Sequence, residues 1–234
     1  SRATGLRVVM TTGVHRREHY ATDSPLLGAD AGTLAAAFVR DLEHGAREGV
    51  DPEPDRSAPR AGLLKAGLGY WRIDAAAARC IEAVGVAHAA TGAPVMVHLE
   101  HGSAAHEALD LLGSQGVAAD AVALAHIDRN PEAGLLGDLA ARGAYLGVDG
   151  PARHREWPDS VIVELIDDLV RDGHGDRVLL GGDVARASRY RAYGGLPGLA
   201  YLGERFLPRV VAAVGAEAAV GITTANPARW LSWR

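Results

Sequence analysis

The sequence has few of the features that mark disulfide-rich, membrane or nucleic-acid-binding proteins. It contains one cysteine, Cys80, so an intrachain disulfide is impossible and a reducing, cytoplasmic location is expected. No apolar run approaches the roughly 18–20 residues that a membrane span requires. The 24 Lys and Arg residues against 29 Asp and Glu give a net charge of -5, whereas nucleic-acid binders usually carry a basic stripe. The sequence therefore predicts neither a membrane nor a nucleic-acid partner.

What the sequence does have is an alternation of short apolar runs and longer amphipathic stretches. The 234 residues are 48% hydrophobic and 23% charged, which is typical of a globular protein. The apolar runs predict strands at Leu6–Thr11, Ala61–Ala66, Pro94–Leu99, Ala121–His126, Ala144–Val148 and Arg177–Gly182. The amphipathic stretches predict helices at Ala31–Glu48, Asp74–Ala90, Ala104–Gln115, Pro131–Ala141, Asp159–Arg171 and Leu199–Val214. Strands without polar alternation that alternate with helices indicate an α/β fold with a parallel sheet.

The pattern favours a (β/α)8 barrel over a doubly wound nucleotide-binding sheet. No Gly-x-Gly-x-x-Gly follows the first strand, and no Walker-type Gly-Lys-Ser/Thr occurs. Polar residues instead stand inside or at the end of four different strands: Lys65, His98, His126 and Asp183. The carboxyl ends of barrel strands converge on one mouth, where the active site of such enzymes lies.

These four polar residues indicate a metal site. Burying an unpaired charge costs several kcal/mol, so each side chain needs a partner, and a shared metal would supply one to all four. Imidazoles and carboxylates are standard ligands of divalent first-row metals. Any one of the histidines, taken singly, is as well explained as a hydrogen-bonded core residue. His15 also follows a strand end directly, and its role stays open.

Seven segments of the chain resemble, in order, those of the phosphotriesterase family of the amidohydrolase superfamily. They are TTGVHRREHY (11–20), AGLLKAGLGY (61–70), TGAPVMVHLEHG (91–102), AHIDRNPEAG (125–134), RVLLGGDVAR (177–186), YGGLPGLAYLGERFLP (193–208) and TANPARWLS (224–232). The resemblance implies a (β/α)8 barrel, also called a TIM barrel, with a two-metal centre at its mouth.

The resemblance also implies a role for each polar residue. Lys65 matches a lysine that is N-carboxylated by CO2 and bridges the two metals. His98 and His126 match the ligands of the more exposed metal. Asp183 matches a ligand of the more buried metal that also accepts a proton from the attacking hydroxide. Zinc is the family's usual metal, while manganese, cobalt or iron would accept the same ligands.

One motif of the family does not occur in this sequence. The family's first strand carries a His-x-His pair, and these 234 residues contain none. The segment Leu6–His15 matches the third strand, so residues 1–234 are expected to form one hydrolase domain made of strands three to eight. Six strands cannot satisfy the geometry of an eight-strand barrel, so the chain is expected to be a shortened form of a longer protein.

The expected reaction is hydrolysis of an ester bond in a phosphotriester, a carboxylic ester or a lactone. Tyr70, with Trp71 beside it, and Arg186, with Arg189 nearby, are the candidate substrate contacts. Tyr70 and Trp71 could equally be rim aromatics, and the arginines could equally form a solvated helix face. A barrel that binds a small ligand without catalysis, or an inactive truncated homologue, is the alternative function. Assembly as a homodimer is left open.

Overall fold

Six parallel strands alternate with helices in the computed structural model, which describes residues 4–51 and 53–233. The strands are Thr11–Val14 (β1), Leu63–Leu68 (β2), Val95–Leu99 (β3), Val122–Ala125 (β4), Tyr145–Val148 (β5) and Val178–Leu180 (β6). The helices are Pro25–Gly28 (α1), Ala31–Glu43 (α2), Ala75–Thr91 (α3), Ala105–Ser114 (α4), Ala133–Ala141 (α5), Asp159–Arg171 (α6), Leu207–Val214 (α7), Ala216–Val220 (α8) and Asn226–Leu231 (α9). None of the described helices combines the length and the apolar character needed to cross a membrane.

The described chain divides into two compact units. The first contains the residues up to His98, together with His106–Val122 and the residues from Leu231 onward. In it, β1 runs parallel to β2, with Gly13 opposite Lys65. Helix α2 packs on α3, and their apolar faces are buried.

The second unit contains Leu99–Ala105 and Ala123–Trp230. Here β5 pairs in parallel with β4 on one side and β6 on the other, so that Leu146 lies opposite both Leu124 and Val178. Every residue of β4 is buried. Strands covered on both faces explain why the apolar runs show no polar alternation.

Helix α3 shows why several sequence-based boundaries were confirmed. The carboxylate of Asp74 accepts hydrogen bonds from the backbone N–H groups of Ala76 and Ala77, and Gly92 ends the helix in the left-handed conformation. Both signals are local in sequence, so they need no tertiary contact to act. The bounds of strands β2 to β6 lie within two residues of the predicted ones.

The first strand was predicted at the wrong residues. Residues 6–10 of the apolar run Leu6–Thr11 lie outside the sheet, and Leu6 and Val8 are 62% and 66% exposed. The strand is Thr11–Val14, which contains two threonines and a glycine. A Cβ at Gly13 would lie 2.0 Å from the Lys65 carbonyl oxygen, so only glycine fits where β1 approaches β2. Pairing with β2, and not hydrophobicity, decides which residues form the strand.

Two predicted helices were too long or began too early. Helix α2 ends at Glu43 because the buried Arg40 guanidinium donates to the carbonyl of Arg47, which turns the following chain back. Helix α5 begins at Ala133, two residues after the predicted start at Pro131.

The predicted helix Leu199–Val214 is confirmed to within one residue at its start, since Ala200 and Tyr201 are already helical, but it is not regular throughout. Residues Leu202–Phe206 form a wider π-helical turn, and α7 proper begins at Leu207. Pro208 lacks the N–H that the preceding turn would bond, which accounts for the irregular start of this helix.

Candidate metal centre

Three side chains of the second unit form a cluster able to hold a metal ion. One ligand atom each from His126, Asp149 and Asp183 lies within 4.8 Å of the other two. His126 and Asp149 directly follow β4 and β5, and Asp183 lies three residues beyond β6. The backbone of His126 (φ 67°) and of Asp183 (φ 40°) is left-handed, which is uncommon for residues other than glycine. Backbone strain of this kind concentrates at functional sites, because the fold must hold it in place.

Asp149 sets the protonation of the His126 imidazole. Its Oδ2 accepts a hydrogen bond from the His126 backbone N–H at 3.0 Å, and its Oδ1 lies 2.7 Å from His126 Nδ1. A carboxylate only accepts, so the ring proton stays on Nδ1 and Nε2 keeps its lone pair for a metal. This donor set, one imidazole lone pair and carboxylate oxygens, fits a divalent first-row metal ion.

Sequence reasoning missed Asp149, although a signal for it exists. The residue ends the run AYLGVD in the same way that His126 ends AVALAH. Counting every polar residue at a strand end would have added Asp149 to the candidates. Its acceptance of two N–H groups from His126 could not be anticipated, because 23 residues separate the two side chains in sequence.

Two guanidinium groups contact the Asp183 carboxylate. Arg153 donates to Oδ2 of Asp183, and Arg129 Nη2 lies 3.3 Å from the same oxygen. Arg189 lies further along the chain, where its Nη2 is 3.4 Å from the Pro151 carbonyl oxygen. Burial and the positive charge of Arg153 lower the pKa of Arg189. The Glu156 carboxylate lies 3.5 Å from Arg129 Nε and 4.0 Å from Arg153 Nη1, so three guanidinium groups and two carboxylates, those of Asp183 and Glu156, lie in this region.

A protonatable carboxyl group lies beneath this cluster. Asp128 is 1% exposed and accepts a hydrogen bond from the backbone N–H of Gly150 at 2.7 Å. Burial, together with the negative charge of Asp149, raises the pKa of Asp128 to about 7. A Cβ on Gly150 would lie 2.7 Å from Asp128 Oδ2, so glycine is required for this contact.

The other two predicted ligands, Lys65 and His98, belong to the first unit. Lys65 is half-buried in β2, with its Nζ 3.3 Å from the Met96 sulfur on β3. His98 is buried in β3, and its ring centroid lies 4.4 Å from that of His15. His15 in turn lies 4.2 Å from the ring of His19. The shared coordination of Lys65, His98, His126 and Asp183 stays a prediction of the resemblance.

The predicted substrate contacts occupy exposed positions. Tyr70 and Trp71 are 62% and 65% exposed in the turn that follows β2, with their rings 6.5 Å apart. Arg186 is exposed, whereas Arg189, three residues later, folds inward beside a cavity of about 150 Å³. The cavity is otherwise lined mainly by apolar residues that follow β6 in the chain: Val184, Pro197, Leu199 and Leu202. The roles of Tyr70 and Arg186 in binding stay predictions.

Comparison with known proteins gives consistent matches along the chain. Residues 1–231 match the phosphotriesterase family. A phospho-furanose lactonase from Mycoplasmopsis synoviae is 32% identical over 243 residues, covering 98% of this chain and 68% of that protein. The first three curated relatives are each spanned by this chain over 60 to 68% of their length.

Solved structures also match this chain over nearly its whole length. A lactonase from Listeria monocytogenes superposes with a TM-score of 0.90 at 26% identity, covering 100% of this chain and 75% of that one. The phosphotriesterase homology protein from Escherichia coli, solved with phosphate in its active site, gives a TM-score of 0.87 at 25% identity. That match covers 99% of this chain and 77% of the other. The predicted α/β fold class of the TIM-barrel type is confirmed, and the chain belongs to the phosphotriesterase family.

Proposed function

We propose that the protein is a metal-dependent hydrolase that opens a lactone bearing a phosphate or another anionic group. Membership of a family with lactonase and phosphotriesterase-like relatives supports hydrolysis of ester or lactone bonds in general. The observation that carries the finer proposal is the concentration of guanidinium groups beside the His126, Asp149 and Asp183 cluster.

The metal would be held in part by His126 Nε2 and the Asp183 carboxylate. Asp149 keeps the His126 ring in the tautomer that a ligand needs. The family resemblance adds His98 and N-carboxylated Lys65 to a binuclear centre, with zinc as the first candidate. Bound divalent ions would lower the pKa of a water molecule and polarise the substrate oxygen. Asp183 would accept the proton released in the attack, the role that the family resemblance gives it.

The arginines would recognise the anionic group of the substrate. Within the part of the chain that the structure describes, the buried Nε atoms of Arg153 and Arg189 have no hydrogen-bond acceptor. Arg129 and Arg153 already pair with Asp183 and Glu156, whereas burial and the positive charge of Arg153 disfavour the charged form of Arg189, so an anion beside Arg189 would stabilise it. A phosphate would supply acceptor oxygens to Arg153 and Arg189, and arginine binds phosphate in a bidentate manner. The name of the phospho-furanose lactonase relative and the phosphate in the Escherichia coli structure agree with this.

The test compares three substrates with the metal-loaded full chain: a phosphorylated furanose lactone, the same lactone without phosphate, and a phosphotriester. We expect the phosphorylated lactone to give the highest kcat/KM. Arg153→Met should raise KM for that substrate by about tenfold or more relative to its effect on the uncharged lactone, because loss of the contact between Arg153 and Asp183 affects both substrates alike. Arg155→Met, at an exposed arginine two residues away, is the matched control.

Three further outcomes decide between the proposals. Lys65→Ala and Asp183→Asn should abolish turnover and reduce bound metal if the binuclear centre is correct. Equal kcat/KM for the charged and uncharged lactones would refute the anionic substrate. Tight binding of the phosphorylated lactone without turnover would favour the non-catalytic alternative.

A further inference from the structure

One carboxylate of the second unit joins three segments of the chain. Asp159 is the first residue of α6, and only 10% of its side chain is exposed. Its Oδ1 accepts a hydrogen bond from the backbone N–H of Ala152, in the loop after β5, at 2.8 Å. Its Oδ2 accepts one from the Tyr201 hydroxyl at 2.5 Å and lies 3.3 Å from Arg209 Nη1 of α7. Asp159 therefore ties the loop after β5 to the beginning of α6 and to the segment that contains α7.

The contacts with Tyr201 and Arg209 keep the Asp159 carboxylate in one place. The hydrogen bond to Asp159, together with burial, raises the pKa of Tyr201, so its hydroxyl stays protonated and remains a donor at neutral pH. Arg209 forms an ion pair with the same carboxylate oxygen. The other oxygen, Oδ1, is thus held where it accepts the hydrogen bond from Ala152.

The contact with Ala152 supports a backbone conformation that a side chain disfavours. Ala152 has a φ of 63°, in the left-handed region where Cβ crowds the following carbonyl oxygen. A residue in this region persists only where its surroundings hold it there. On the other side of Pro151, the N–H of Gly150 donates to the Asp128 carboxylate at 2.7 Å. The loop is thus fixed by one carboxylate on each side of Pro151.

The residue after Ala152 is Arg153, which we assign to the anionic group of the substrate. The Arg153 guanidinium contacts the Asp183 carboxylate, and its Nη2 lies 3.2 Å from the Asp183 carbonyl oxygen. The backbone N–H of Arg153 donates to the Gly150 carbonyl at 2.9 Å, which closes a tight turn that includes Ala152. Because Arg153 leaves the chain at this turn, a change in the Ala152 backbone would move its guanidinium.

We propose that Asp159 is a positioning residue that sets the Arg153 guanidinium for the anionic group of the substrate. The proposal rests on the hydrolysis of an anionic lactone proposed above. Asp159 would act through the Ala152 backbone, whereas Arg153 would contact the anion directly. A side chain that is already ordered loses less conformational freedom when its ligand binds, so preorganisation raises affinity. Loss of the Asp159 carboxylate should therefore weaken binding of the charged lactone more than binding of the uncharged one.

Kinetics of the metal-loaded full chain test the proposal with the phosphorylated furanose lactone and the same lactone without phosphate. Asp159→Ala should raise KM for the phosphorylated lactone about fivefold relative to its effect on the uncharged one, which is the value of one hydrogen bond, while the ratio of the two kcat values stays unchanged. Asp159→Asn retains an oxygen that accepts from Ala152 and should recover most of this loss. Asp168→Ala removes a carboxylate of the same helix that pairs with Arg171, and it is the matched control. An unchanged KM ratio in Asp159→Ala, or the same shift in Asp168→Ala, would overturn the proposal.

A double variant shows whether Asp159 acts through Arg153. In the Arg153→Met background, Asp159→Ala should change the KM ratio by less than about twofold, because the group that Asp159 positions is absent. A shift as large as the one in the wild-type background would refute the proposed route.

Hydrogen exchange of the Ala152 amide needs no substrate. This amide should exchange slowly in the wild-type chain and in Asp168→Ala, and faster in Asp159→Ala. Equally fast exchange in wild type and Asp159→Ala would overturn the role of Asp159 and leave the hydrolytic function intact. If the wild-type chain hydrolyses neither lactone, the hydrolytic function fails, and the proposal for Asp159 fails with it.

Discussion

Replacing Asp149 by asparagine tests how much metal binding depends on the carboxylate that orients His126. The wild-type carboxylate accepts two N–H groups of His126, at 2.7 and 3.0 Å. Asparagine is nearly isosteric but neutral, and one of its two side-chain atoms donates, so at least one of these contacts is lost or weakened. Loss of such an outer-shell partner typically costs 10–100-fold in metal affinity, which is about 1.4–2.7 kcal/mol. We therefore expect the dissociation constant for zinc to rise by roughly 10–100-fold.

The assay is a competition titration of metal-free protein against a chromophoric zinc chelator of known affinity. Asp138→Asn makes the same chemical change on the exposed face of α5 in the same unit and serves as the control. Thermal unfolding of both variants without metal separates a binding effect from a folding effect. A zinc affinity unchanged in Asp149→Asn, or lowered equally in Asp138→Asn, would refute the role of Asp149.

Three further predictions follow from burial and helix capping. The pKa of Asp128, raised to about 7, lies above the unfolded value of about 3.9, so folding binds a proton and stability falls as pH rises between those values. In metal-free protein, the Tm of Asp128→Asn relative to wild type should therefore rise from about pH 4 to about pH 8, and a constant difference would contradict this. Burial raises the pKa of the Cys80 thiol to about 12, so a thiol reagent at neutral pH should label it only in denaturant. Equal labelling rates in native buffer would disprove that. Asp74→Ala should lower the free energy of unfolding by about 1 kcal/mol in a urea titration, and Asp74→Ser should recover most of it. Identical unfolding of Asp74→Ala and wild type would show that the cap contributes nothing.

Local signals account for the parts of the fold that were predicted well. Asp74 and Gly92 mark the ends of α3 because capping involves only neighbouring residues. The strand β1 was displaced because hydrophobicity in Leu6–Thr11 says nothing about which backbone pairs with β2. The end of α2 depends on Arg40 reaching the carbonyl of Arg47, a contact that no periodicity reveals.

The candidate site likewise contains some residues that local sequence signals reveal and others that only tertiary contacts reveal. The sequence by itself determined the α/β class, the family and the strand-end residues His98, His126 and Asp183, because a polar side chain ending an apolar run is visible in one dimension. Only the tertiary structure decided that Asp149 orients His126 and that Arg189, and not Arg186, turns inward. These contacts join different strand ends, so they exist only after the backbone has brought those ends together. The proton position of the His126 ring likewise depends on its 2.7 Å hydrogen bond to Asp149, which composition and spacing cannot specify.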